Sequence, residues 1–178
     1  MEIVLDEMLH DRGFSDIQKD NEQFWVVYRD NTDMHDKIIV YFVKNVKVCI
    51  KKIKEIEQVL DENVSLIILI YSNNITSFAR QAIIQDITCP IQVFHESELQ
   101  FNITKHMLVP KHEIMTKIFR NDFMSKNNYK ANNLPRIFTN DPIMKYMNAQ
   151  PGDLIRVTRN SETSGESIYY RLVYQASE

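Results

Sequence analysis

His95, His106 and His112 lie close together in the chain and are the first candidates for metal ligation. Zinc sites want four convergent ligands, usually with paired Cys or His at short spacing. The chain has no CxxC and no HExxH, and its two cysteines, Cys49 and Cys89, are far apart. The histidines are therefore read as hydrogen-bonding residues, and no metal or other cofactor is expected. Metal-dependent phosphodiester cleavage needs carboxylates on the cation and commonly a nearby lysine, often as acid-x-Lys on one strand. No Asp or Glu here has Lys two positions on, and Asp30, Asp33 and Asp36 fall in a stretch that reads as a solvated turn. Ser161, Glu162, Thr163 and Ser164 cluster hydroxyls, but no histidine is near and there is no GxSxG. That cluster reads as a hairpin turn. Gly13, Gly152 and Gly165 are too isolated for a phosphate loop. No catalytic residue is assigned, and a binding surface remains. Arg136, Arg156, Arg159 and Arg171 carry forks suited to carboxylates. Tyr169, Tyr170 and Tyr174 suit either core or interface.

These side chains need a scaffold. The chain has 178 residues, 44% of them hydrophobic and 25% charged, with five Pro and three Gly. Such fractions exclude a disordered tail and a disulfide scaffold. The charge is split. Residues 1–103 hold 10 Lys/Arg against 17 Asp/Glu, a net of −7, and residues 104–178 hold 11 against 7, a net of +4. The acidic half argues against strong unaided binding to nucleic acid, and the basic half could meet an acidic partner surface. The start lacks a basic n-region, and the longest apolar run, 66–71, is too short to span a bilayer. A soluble intracellular protein with reduced thiols and no membrane partner is expected.

Apolar spacing predicts a helix over 2–12 stopped at Gly13, strands at 24–28 and 38–43, and an amphipathic helix from Val46 to Leu60. VSLIILIY (64–71) reads as a central strand covered on both faces. A short helix at 75–84 and a strand at 91–95 complete a small α/β layer. Further on, Thr116 caps a helix to about 125, and Asp141-Pro142 starts another to about 148. Strands at 154–159 and 168–174 form a hairpin.

HMLVPKH (106–112), LPRI (134–137), DP (141–142), PGD (151–153) and RNSETSG (159–165) follow in this order, with Tyr170-Arg171-Leu172 after them. The set closely resembles the C-terminal domain of the fifth subunit of eukaryotic RNA polymerases, which has a smaller archaeal homologue. The resemblance is dense over 104–178 and reaches back through NNIT (73–76) and VFHESEL (93–99). It implies an α+β protein. An N-terminal α/β jaw domain over 1–103, a mixed sheet flanked by helices with nuclease-like topology, precedes a small α/β assembly domain over 104–178 with a C-terminal hairpin.

The implied function is that of a non-catalytic subunit of DNA-directed RNA polymerase. It would dock on the largest subunit and neighbouring core subunits, with downstream duplex DNA near the jaw only in the assembled enzyme and no small-molecule ligand. The implied docking residues are Pro110, Lys111 and His112, Leu134, Pro135, Arg136 and Ile137, Asp141 and Pro142, Arg159, Ser161, Glu162, Thr163, Gly165 and Arg171. Proline pre-sets backbone shape, hydroxyls and Glu162 offer acceptors, and the arginines offer forks. Each of these residues could instead hold the small domain together. Asn73, Asn74, Thr76 and Ser77 would lie near phosphates.

The departures are specific. The family usually has TPSA after NNI, and here 76–79 reads TSFA. Glu166 stands where a basic residue is common, and Met107 where a polar or small one is. The shortened N-terminal half and the Asn-, Ile- and Lys-rich composition suit a large DNA virus, with a divergent protist as the alternative. A cellular member would act in the nucleus, and a viral one in the virion and host cytoplasm. The rival functions are a divergent nuclease-like domain and a free transcription-regulatory adaptor using the same docking surface.

Overall fold

The structure is a computed structural model describing residues 1–21, 24–29, 37–58, 64–85, 89–161 and 165–176. It divides into two compact units, Met1–Phe101 and Asn102–Glu178. Both are mixed α and β.

The first unit opens with α1 (Glu2–Asp11), which buries Val4, Leu5, Met8 and Leu9 along one stripe. Gly13, at φ 85°, turns the chain into β1 (Phe14–Asn21). Then follow β2 (Phe24–Arg29), β3 (Lys37–Val43), α2 (Ile50–Gln58), β4 (Val64–Tyr71), α3 (Ser77–Gln85) and β5 (Ile91–His95). The sheet order is β1-β2-β3-β4-β5. The first two pairings are antiparallel and the last two parallel.

Leu66 to Ile70 of β4 are all buried. Strand alternation sends Ile67 and Leu69 to one face and Ile68 and Ile70 to the other, so both faces are covered. On the first face they meet Ile53 and Ile56 of α2 and Ala79 of α3.

β1 has no counterpart in the sequence reading. Its residues FSDIQKDN bury only Phe14 among the described side chains, and it sits at the sheet edge, where polar and charged residues discourage further pairing. Helix α2 starts four residues later than the apolar spacing from Val46 predicts. Val46 is 56% exposed, and Val48 instead pairs with Ile75 in a parallel bridge. Asn45, at φ 61°, takes the left-handed turn that makes this detour. Among the described residues, no helix is long and apolar enough to cross a membrane.

Candidate protein-docking surface

The second unit holds β6 (Lys111–Ile114), α4 (Lys117–Lys126), β7 (Arg136–Phe138), α5 (Pro142–Met147), β8 (Leu154–Ser161) and β9 (Gly165–Tyr174). Its sheet runs β6-β8-β9-β7, antiparallel except for β7 with β9. The two short edge strands, β6 and β7, are additions to the sequence reading. Four and three residues are too few to show a period.

Both predicted helix starts are present. Thr116 Oγ1 accepts from Phe119 N at 3.2 Å, and Asp141 Oδ1 accepts from Ile143 N at 2.9 Å with Pro142 at the first helical position. Such a cap contributes about 1 kcal/mol.

Register and alternation sort the surface. One face of the sheet carries Leu154, Arg156, Ile168, Tyr170 and Leu172. Helix α4 packs on it through Phe123, whose ring lies 4.4 Å from that of Tyr170. The other face carries Ile155, Val157 and Val173, packed with Ile137, Met144 and Ala149. On that second face, pairing also aligns Arg159, Tyr169 and Arg171. All three are exposed, Tyr169 to 55%. Towards the hairpin tip Arg159, Asn160, Glu166 and Ile168 are exposed as well, so the β8–β9 hairpin projects past the core.

The expected docking residues do not all face outwards. Leu134 and Ile137 are each only 7% exposed and belong to the two core clusters. Asp141 is committed to its cap, and Pro135 accepts the Leu172 amide at its carbonyl. The Arg136 guanidinium stacks over the Tyr174 ring at 4.8 Å. The His112 ring donates to the Pro110 carbonyl at 2.7 Å, which shapes this bend. Lys111, Pro142, Arg159 and Arg171 are exposed. Gly165 opens β9 at φ 70°. Glu162, Thr163 and the side chain of Ser161 lie outside the described residues.

Two residues that sequence reasoning left out of the docking set, Met107 and Leu108, are 93% and 79% exposed. The segment before them is anchored by buried Asn102, whose amide donates to the Tyr146 hydroxyl at 3.0 Å. The signal was present: two large apolar residues beside Pro110 in a stretch too short for a buried element.

In the first unit, Asn73 and Asn74 are exposed, and Ser77 starts α3 in the open. Thr76 is already engaged. Its hydroxyl accepts from Ala79 N at 3.2 Å and donates to the Val48 carbonyl at 3.3 Å.

Residues 101–173 match the family described as RNA polymerase Rpb5, C-terminal domain. A protein of Dictyostelium discoideum named DNA-directed RNA polymerases I, II, and III subunit rpabc1 is 36% identical over 160 residues, covering 88% of this chain and 80% of its own length. The chain belongs to the Rpb5 family of RNA polymerase subunits. A Caenorhabditis elegans Rpb5-family protein, named subunit RPABC1 of the same three polymerases, is 33% identical over 94% of this chain and 90% of its own length. An archaeal one, subunit Rpo5 of Nitrosopumilus maritimus, is 43% identical over 76 residues, which is 92% of its length but 43% of this chain. The Rpb5-family likeness therefore extends well into the N-terminal half, further than motifs alone carried it. Without dense motifs, that half shows its kinship only through identities spread along the chain.

Within this Rpb5-family surface, β6 and β8 are joined by an ion-pair cluster. Glu113 Oε2 accepts from Arg156 Nε at 2.8 Å and also from its Nη2, and Lys111 Nζ lies 2.9 Å from Oε1. Hydrogen bonds from Lys111 and Arg156 hold the Glu113 carboxyl below the usual carboxylate range. A depressed folded value stabilises the fold above the unfolded carboxylate value, and that stabilisation is lost as pH falls through the folded one. Glu113→Gln removes this contribution. Its stability in urea should fall less steeply than the parent's between about pH 5 and pH 3. Equal slopes would show that the cluster contributes nothing.

Proposed function

We propose that the chain is built into a multisubunit DNA-directed RNA polymerase as a non-catalytic subunit. Its second unit, the assembly domain, docks on the largest subunit, and its first unit forms part of the lower jaw near downstream DNA. The observation that carries this is the exposed Arg159–Tyr169–Arg171 face on the projecting hairpin of the family-matched unit. Arg and Tyr concentrate binding energy at protein interfaces. A cellular member then works in the nucleus.

The first unit's net charge of −7 gives free duplex DNA little attraction. Proximity to DNA is imposed by the assembly, with Asn73 and Asn74 offering amides to phosphates.

Tagged full-length chain, expressed in its native source and purified, should bring down the largest polymerase subunit in equimolar amount. Recovery without that subunit overturns the proposal. Recovery well below one copy per polymerase favours the free-adaptor alternative.

A further inference from the structure

We infer that the first unit carries a second binding surface, a basic groove between the end of β3 and the start of α2 that takes a short acidic peptide segment anchored by an apolar side chain. It lies in a different unit from the hairpin and does not rest on the docking proposal.

Half of the ten cationic side chains in residues 1–101 fall between 44 and 54: Lys44, Lys47, Lys51, Lys52 and Lys54. Lys51 and Lys54 are helix neighbours at i,i+3 and repel each other. Lys52 pairs with Glu55 at 2.8 Å. Among the described residues no ion pair engages Lys44, Lys47 or Lys51. An anionic partner would relieve that repulsion.

Lys44, Lys47, Lys51 and Lys52 rim a half-open groove of about 350 Å³ whose lining includes Phe42, Val43 and Val46. Val43 is buried at its base and Val46 stands exposed at the rim, while the Phe42 ring turns to the opposite face of β3 against Trp25. The groove sits at the C-terminal end of β3, which pairs in parallel with β4, and open α/β sheets place ligands at that end of their strands. It is also stiff. Ser72 N donates to the Val43 carbonyl at 3.3 Å, Asn45 N to Ser72 Oγ at 3.0 Å, and Val48 N to the Asn74 carbonyl at 3.1 Å. A groove braced in this way orders little on binding.

An apolar base with a cationic rim matches a segment that pairs a large apolar residue with flanking acids. Nucleic acid fits less well. Buried Phe42 offers no face for base stacking. The unit's 17 acidic residues repel a long polyanion. A short peptide held within about 8 Å, one Debye length, is dominated by the lysines.

The test is fluorescence anisotropy of the full chain at physiological salt, with a labelled peptide Glu-Asp-Phe-Asp-Leu-Asp-Glu. Lys44→Glu, Lys47→Glu and Lys51→Glu together should weaken binding at least about tenfold, as should a peptide with Phe and Leu replaced by serine. All three lysines are exposed, so the fold should survive, and Val46→Ser supplies a second, independent reading in the same direction. Peptide affinity unchanged in both variants overturns the inference. Tighter binding of a short DNA duplex than of the peptide also overturns it, and assigns the lysines to phosphate.

Discussion

Leu154→Ala is expected to remove about 3 kcal/mol from the stability of the second unit. Leu154 is fully buried on β8 and packs with Leu134 and Leu172, while its carbonyl accepts the Met115 amide at 2.9 Å. Truncation deletes apolar contacts and leaves a cavity in a sheet too regular to collapse around it. A small domain holds about 5–15 kcal/mol in total, so this one change consumes a large share. Hydrogen exchange read on the amides of β8 and β9 should accelerate by about two orders of magnitude. A loss below about 1 kcal/mol would mean that Leu154 does not sit in a packed core.

The second large effect concerns docking and spares the fold. Tyr169→Ala combined with Arg171→Glu removes an exposed ring and reverses an exposed charge on the hairpin face. Exposed substitutions of this kind usually move stability by no more than about 0.5 kcal/mol. Interface hot spots of Tyr and Arg commonly contribute about 2 kcal/mol or more each, so recovery of the largest subunit should drop at least about thirtyfold. The pair separates two roles that a single pull-down cannot. Leu154→Ala should lose assembly together with folding, and the hairpin variant should lose assembly alone. Undiminished recovery with the hairpin variant would move the docking surface elsewhere.

The elements legible in the sequence carried their own signals. VSLIILIY has the length and continuous apolar character of a doubly covered strand, and Thr116 and Asp141-Pro142 are side chains that start helices by chemistry local to themselves. β1, β6 and β7 were not legible, because edge strands take their pairing from a partner distant in sequence and need no apolar run. The start of α2 was misread because Val46 and Cys49 continue the helical spacing of Ile50, Ile53 and Ile56 by accident, while hydrogen bonds from Val48 to the β4–α3 loop hold that segment elsewhere.

The docking set shows the same division. Motif likeness singled out Leu134 and Ile137 with Arg159 and Arg171, since shared ancestry marks core and surface residues alike. Only burial separates the first pair from the second. Met107 and Leu108 were visible as a departure or as part of a motif. Their exposure depends on Asn102 anchoring the segment to Tyr146, a contact between residues 44 positions apart.

The place of β9 in its sheet has a consequence for how the protein is made. β9 lies inside the sheet, flanked by β8 and β7, although it is the last strand in the chain order. Among the described residues the first unit's last strand ends at residue 95, so that unit can fold on the ribosome while the rest is still being synthesised. The second unit must wait for residue 174 before its central ladder can zip. A prematurely terminated product therefore presents a finished first unit attached to an unfolded basic tail. Such a product lacks the β8–β9 hairpin and leaves apolar segments open to proteases.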